Sequence, residues 1–339
     1  MTRAVGTETC DGCRFDGAQY DVSDAFGTLR AVPAMWRQLT EGVPDDVLLA
    51  RSATEVWSAA EYLSHSIGGS KLLGVTLHRS RSAPPAAAST DDGPKVTAPT
   101  PVIDQAPDTS GGLPRLLEDL DREIGRILAV VKDIGDDDAP GWDRTLSFAG
   151  SEVDARWILR HTVHEATHHL GDAGRVLHLL GAGAPTQQGT VARLSASDGG
   201  VPKRAVDMAE VGDRGLVGDR QADRNNHGRP LQALCIWSLE VIQALQAEGH
   251  PIRPGDTGEN ITIAGVDWTT LRTGVQLLIG DVLAEVSAFA TPCSKNAPWF
   301  TDRYLNRMDH GRHPGWSRVY AWVREPGTIR TGDPVIIEP

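Results

Sequence analysis

The chain has 339 residues, enough for two domains that each bury a core, and its 40% hydrophobic and 23% charged residues are ordinary for a soluble globular protein. A net charge of −12 argues against a nucleic-acid or anionic-membrane surface, because binding phosphates takes a basic stripe. No apolar run approaches the roughly eighteen residues of a membrane helix, and residues 1–6 lack the apolar centre of a signal peptide. A cytoplasmic protein with a small-molecule partner, and neither nucleic acid nor membrane, is therefore expected.

Taken in chain order, the first feature is Cys10 and Cys13, a CxxC that can be half of a zinc site or a redox pair. No second CxxC completes a four-sulfur site, so a loosely ordered amino-terminal clip is the preferred reading. A reducing compartment also argues against a disulfide framework among Cys10, Cys13, Cys235 and Cys293. Residues 22–42 and 54–79 read as helices. Ser80 to Gly112 is dense in Pro, Ala, Ser, Thr and Asp, a composition that buries too little apolar surface to order itself, so a disordered insertion is expected over about 80–112. Leu116, Leu117, Leu120, Ile124, Ile127 and Leu128 then recur at helical spacing, which predicts a third helix from Leu113 to Ile134. A fourth runs from Ala155 to Leu180 and ends at the Gly181 to Pro185 stretch. Four helices in about 180 residues suggest a bundle.

After Pro185 the pattern changes to short β-branched runs between glycine turns: 190–194, 260–263, 275–279, 283–289 and 318–323, with one helix at 239–249 and a closing turn and strand from Gly332. This half reads as a β-rich barrel or curled sheet, with the boundary near 184–188.

Four of the eleven histidines, His161, His164, His168 and His169, fall on the fourth helix. His164 and His168 are four apart and so lie about 40° apart on one helix face, a geometry in which two imidazoles share one metal ion. Such a pair can also be plain solvated positions, but Trp157, Ile158, Val163, Val176 and Leu180 give this helix a buried stripe. His65, on another amphipathic stretch, is a candidate third ligand.

The first half resembles the DinB/YfiT-like four-helix metalloproteins, which include actinobacterial thiol-dependent S-transferases. The likeness rests on Cys10 to Asp16, on Trp57 to His65, and on His164-Glu165 through His168-His169 to Asp172. In that family one histidine of the second helix and an i,i+4 pair of the last bind a divalent metal; carried over, the ligands are His65, His164 and His168. Three neutral imidazoles leave an open position on zinc, nickel or iron, where a thiol becomes a nucleophile or a water serves hydrolysis. Glu165 or Asp172 can hold a ligand ring in the correct tautomer, and His161 and His169 are expected as supporting or surface residues.

The second half resembles a MOSC domain, the module at the carboxy end of molybdenum cofactor sulfurases. The matching residues are Gly215, Gly218, Asp219, Arg220 and Asp223, then His227-Gly228, Gly258-Glu259-Asn260, Gly280-Asp281 and Thr291-Pro292-Cys293. Glycines let the backbone approach a ligand, and Arg214, Arg220, Arg224 and Arg229 suit an anion such as a pterin phosphate. Asp219, Arg220, His227, Gly228, Gly258, Glu259 and Asn260 are thus expected to bind cofactor, and Cys293, two residues before Lys295, to be catalytic. In related proteins the matching cysteine ligates molybdenum or carries a transferable sulfur. Cys235, in an apolar stretch, is expected in the core.

The expected architecture is an α+β chain: a four-helix metal-binding domain over 1–182 and a MOSC barrel over 186–339. The expected function is a metal-dependent thiol or sulfur-transfer enzyme, the helical domain activating a low-molecular-weight thiol and Cys293 relaying sulfur or binding molybdenum cofactor. A molybdenum-dependent reductase of N-hydroxylated compounds and a non-catalytic cofactor or sulfur carrier are the alternatives.

Overall fold

The computed structural model describes residues 7–83, 107–222 and 227–338. Most of the expected insertion, and Asp223 and Arg224, lie outside the described residues. Contacts divide the chain into two compact units, Met1–Ala182 and Gly183–Pro339. Among the described residues no helix is long and apolar enough to cross a membrane.

The first unit opens with a hairpin of β1 (Thr9–Cys10) and β2 (Phe15–Asp16), which pairs Cys10 with Phe15 and places Cys13 in the turn. Next come α1 (Val22–Thr40), the single-turn α2 (Asp45–Leu49), and α3 (Ala59–Ser80). Helix α3 starts on a reciprocal cap: Glu61 N donates to Ser58 Oγ at 3.2 Å and Ser58 N to Glu61 Oε2 at 2.8 Å. After α4 (Gly112–Ile134), a hairpin of β3 (Thr145–Phe148) and β4 (Ser151–Asp154) leads into α5 (Ala155–Leu179). Asp154 caps α5 by accepting from Trp157 N at 2.6 Å. Helix α3 packs on α4 and α5, and α1 packs on the same two, so α1 and α3 lie diagonally. Leu29, Met35, Trp36, Leu63, Leu77, Leu120, Ile124 and Ile158 fill the core between them. Gly74 permits the tight α3–α4 approach, since a Cβ there would lie 2.9 Å from Ile127 Cγ1.

In the second unit seven strands close a barrel. They are β5 (Gln187–Ala196), β9 (Leu234–Ser238), β10 (Ile261–Ala264), β11 (Gln276–Ile279), β12 (Val282–Phe289), β13 (Val319–Glu325) and β15 (Pro334–Glu338). Their order is β10-β9-β13-β12-β11-β15-β5, and the β5–β10 pairing returns to the start. Only β9 and β10 of these run parallel, and the crossover this requires carries α6 (Leu239–Ala247). Inward positions alternate, as Leu277 and Ile279, or Val335 and Ile337, each fully buried. Strand β6 (Arg204–Val206) extends the sheet from β5. A separate sheet joins β7 (Met208–Gly212), β8 (Gly215–Leu216) and β14 (Gly327–Arg330).

Candidate functional site

Helix α5 carries two groups of ligating side chains on adjacent faces. At about 100° per residue, the pair His164/His168 and the pair Glu165/His169 point about 100° apart. The first pair meets the amino-terminal hairpin: ligand atoms of Cys10, Cys13, His164 and His168 all lie within 4.8 Å of one another. Phe15, Cys10's partner in the hairpin, stacks its ring on His164 with centroids 4.7 Å apart. Glu8, 1% exposed, sits beneath this cluster. Its Oε1 accepts from Nδ1 of His164 at 2.8 Å and of His161 at 3.0 Å. Burial alone would raise the Glu8 pKa, but the two imidazoles outweigh it and hold the carboxyl below its ordinary range.

The second pair meets α3. Ligand atoms of His65, Glu165 and His169 lie within 4.8 Å of one another, and the His65 and His169 rings meet edge to face at 4.7 Å. The set expected from the resemblance is therefore not gathered at one point: among the described residues no such group holds His65 together with both His164 and His168. The reason is the rotation along α5, which turns the 165/169 face, not the 164/168 face, toward α3. His169, expected as a supporting or surface residue, is 2% exposed and belongs to this group.

Asp172 adjoins both groups, with its Oδ2 accepting from His169 Nδ1 at 3.0 Å and lying 3.4 Å from His168 Nε2. His169 Nε2 in turn faces Glu165 Oε2 at 3.4 Å. Burial disfavours the His169 cation, but Asp172 and Glu165 override it and raise the pKa to about 9. For Glu165 burial is likewise outweighed, by the His169 hydrogen bond and charge, and the pKa falls to about 2. Burial, assisted by His169, lowers His65. A cavity opens beside this group, lined by His65 and Glu165 with Gly68, Gly69, Leu72 and Phe148 among its walls.

In the barrel unit Cys293 stands after β12 and lines a cavity with Lys203, Lys295 and Arg318. Its Sγ donates to Asn296 Oδ1 at 3.5 Å, and the same oxygen accepts from Arg318 Nη2 at 3.4 Å. Arg318, 6% exposed, also donates from Nη1 to Thr257 O at 2.5 Å. Burial opposes its charge, yet the surrounding Cys235, Tyr320, Glu259 and Cys293 keep its pKa above the ordinary value. Tyr320 beside it is pushed up to about 12, chiefly by burial.

Of the expected cofactor-binding residues, Arg220, His227, Gly228, Gly258 and Asn260 line this cavity with Cys293. Asp219 and Glu259 do not; both serve the scaffold. Asp219 accepts from Lys203 Nζ at 2.6 Å, Ser197 N at 2.8 Å and Asn260 Nδ2 at 2.9 Å. Glu259 is fully buried, accepts from Gly255 N at 2.5 Å and Thr257 Oγ1 at 2.8 Å, and burial pushes its carboxyl up. Gly215 approaches backbone rather than ligand, since a Cβ there would lie 2.1 Å from Ala233 O. Cys235 is buried as expected, yet it also lines the cavity. Sequence reasoning missed Glu8, Asn296, Arg318 and Tyr320 as site residues: Glu8, Arg318 and Tyr320 reach their sites from segments remote in sequence, and Asn296, three residues after Cys293, belongs to no motif. Cys10 and Cys13 did carry a signal: a half-site needs two more ligands, and an HxxxH offers two.

A bundle with overlapping metal-capable groups, followed by a barrel with a cysteine cavity, agrees with the comparisons to known proteins. The DinB superfamily profile matches residues 28–173 and the MOSC domain profile residues 223–336, so the chain carries a DinB-superfamily domain followed by a MOSC domain. The uncharacterized protein YflK of Bacillus subtilis (strain 168) is 28% identical over 135 residues, 39% of this chain; the match spans 60% of YflK, under two thirds of its length. Among solved structures, YiiM from Geobacillus stearothermophilus is 22% identical, covering 46% of this chain and 76% of its own, with TM-score 0.35. YfiT from Bacillus subtilis, described as a probable metal-dependent hydrolase with an unusual four-helix bundle topology, is 17% identical, covering 47% of this chain and 87% of its own, with TM-score 0.36.

Proposed function

We propose that the chain is a metal-dependent thiol- or sulfur-transfer enzyme, whose helical domain holds a divalent ion at His65, Glu165 and His169 and whose MOSC domain handles sulfur at Cys293. The carrying observation is the convergence of two imidazoles and a carboxylate from α3 and α5 beside a cavity. This donor set suits zinc, iron or nickel, and three protein ligands leave a coordination position for substrate. An ion there supplies Lewis acidity, which lowers the pKa of a bound thiol or water.

The protein's own groups prepare that position. Asp172 holds Nδ1–H of His169, which turns Nε2 toward Glu165 and the shared point. Burial keeps His65 neutral and so able to donate a lone pair. A side chain at Gly68 would meet no atom within 4 Å, so the glycine leaves room for a small molecule, and Leu72 and Phe148 supply an apolar wall. A low-molecular-weight thiol fits this combination of room, apolar wall and soft-ion ligands.

At Cys293 the nearby Arg318 and Lys295 suit anionic ligands, and the reactive form of the residue is its thiolate. That thiolate attacks the outer sulfur of a persulfide donor R–S–SH; the S–S bond breaks, R–S⁻ leaves, and Cys293 carries the outer sulfur as a persulfide. A second thiolate then takes it, with no net oxidation. To test the reading, the purified protein is given a divalent ion, a small thiol and an electrophile. Conjugation should require the ion and vanish in His169→Ala, and turnover that survives removal of metal would contradict it. Incubation with a persulfide donor should add one sulfur to Cys293, and a Cys293→Ser protein with undiminished sulfur transfer would remove the residue.

A further inference from the structure

Two thiols and two imidazoles remain that the reading above does not use. Cys10 and Cys13 lie outside the stretch matched to the DinB superfamily, on the hairpin that folds against α5. Their sulfurs and a ring nitrogen each of His164 and His168 lie within 4.8 Å of one another. Cys10 Sγ and His168 Nδ1 are 3.7 Å apart. A tetrahedron with bonds of about 2.3 Å to sulfur and about 2.05 Å to nitrogen has a sulfur–nitrogen edge of roughly 3.6 Å. Gly12, between the two cysteines, lies against the same ring: a Cβ there would be in ordinary contact with His168 Cε1 at 3.7 Å and Cys10 Sγ at 3.8 Å.

An independent observation comes from His164. Its ring is 1% exposed, and its Nε2 has no hydrogen-bond partner. Leaving a buried polar atom unpaired is costly. Because Nδ1 donates to Glu8 Oε1 at 2.8 Å, Nε2 carries the lone pair, so the orphaned nitrogen is the one able to ligate. His168 is set the other way round, with Nδ1 toward Cys10 at 3.7 Å and Nε2 toward Asp172 at 3.4 Å. His168 thus has one nitrogen facing a sulfur and the other facing a carboxylate, and His164 has one nitrogen held by a carboxylate and the other left free to ligate, the arrangement that fixes metal-ligating imidazoles.

We propose that Cys10, Cys13, His164 and His168 form a second, closed metal site for zinc or a similarly soft divalent ion. Two thiolates and two imidazoles complete a tetrahedron and leave no position for substrate, so the site is structural. It fastens the hairpin to α5, and Asp172, touching ligands of both sites, lies where the two meet. The inference does not depend on a catalytic ion at His65.

Cobalt(II) loading of the whole chain tests it. The wild type should bind two ions and show the near-ultraviolet thiolate-to-cobalt band. Cys10→Ser with Cys13→Ser should lose the band and one ion, while His65→Ala with His169→Ala should lose the other ion and keep the band. Glu8→Gln, which spares all four ligands, should weaken the band-forming ion about 10–100-fold and decides the matter if the cysteine variant does not fold. A wild type with no thiolate band, a band that survives loss of both cysteines, or a Cys10–Cys13 disulfide in place of bound metal would overturn the proposal. Loss of the band-free ion alone would leave it standing and count against the reading of His65.

Discussion

Asp172 Oδ2 accepts from Nδ1 of His169 across 3.0 Å, from one helical turn along α5. The contact fixes which imidazole nitrogen faces His65 and Glu165. Burial opposes the charge of Asp172, but the His169 hydrogen bond above all, then His168 and Arg175, hold its carboxyl below the ordinary range. Replacing Asp172 by Ala should weaken the ion at His65, Glu165 and His169 about 10–100-fold, the usual cost of losing such an orienting carboxylate. Competition against a chelator measures this, and an unchanged affinity would show that His169 needs no such support.

The ionisation of this group gives a pH dependence. In the metal-free protein His169 titrates near about 9, above its unfolded value, so its contribution to stability is complete below about 6.5 and is lost as pH rises through 9. Glu165, depressed to about 2, contributes above about 4.5 and loses that contribution as pH falls toward 2. One ion pair underlies both shifts and counts once. The metal-free protein should therefore melt at lower temperature at pH 10 than at pH 7, and His169→Gln should flatten that slope. Metal binding at pH 7 should also release a proton, seen by calorimetry in buffers of different ionisation enthalpy. Equal slopes in the variant and wild type would assign the dependence elsewhere.

Arg318 should govern the Cys293 thiol. Both groups share Asn296 Oδ1, at 3.4 Å and 3.5 Å. Arg318→Met removes the buried cation from the cavity that Cys293 lines, so alkylation of Cys293 by an anionic probe at neutral pH should slow severalfold. The rate of a thiol-reactive probe, read by mass at Cys293, checks this. An unaltered rate would confine Arg318 to packing.

Gly215→Ala tests the barrel unit's backbone. Gly215 has φ of +104°, and a Cβ there would lie 2.1 Å from Ala233 O. Strain and overpacking together should cost about 2–4 kcal/mol, read from the denaturant midpoint. A neutral substitution would mean that β8 shifts without penalty.

The helices were legible because their apolar residues recur at helical spacing: Leu116, Leu120, Ile124 and Ile127 of α4 are all buried. Six of the seven barrel strands were legible from β-branched runs between glycines; β9, whose Leu234 to Trp237 reads only as an apolar core stretch, was not. The hairpin β3–β4 was not, since each strand has only 4 residues, most of them half-exposed, too short a run for a pattern to stand out. Site residues were partly legible. The spacing of His164 and His168 shows that they share a face, and they do come together, but spacing cannot say which neighbour that face meets. Here the face turns to Cys10 and Cys13, while the face one residue further along meets His65. Arg318 and Glu8 carried no local pattern, because their roles arise from burial against distant segments.

The reading of the helical domain is decided most sharply by counting ions in protein that already carries Cys10→Ser and Cys13→Ser. One divalent ion should remain, and adding His65→Ala, Glu165→Ala and His169→Ala should take the count to zero. An ion that persists through those three changes, and departs only when His164 and His168 are replaced, would contradict it.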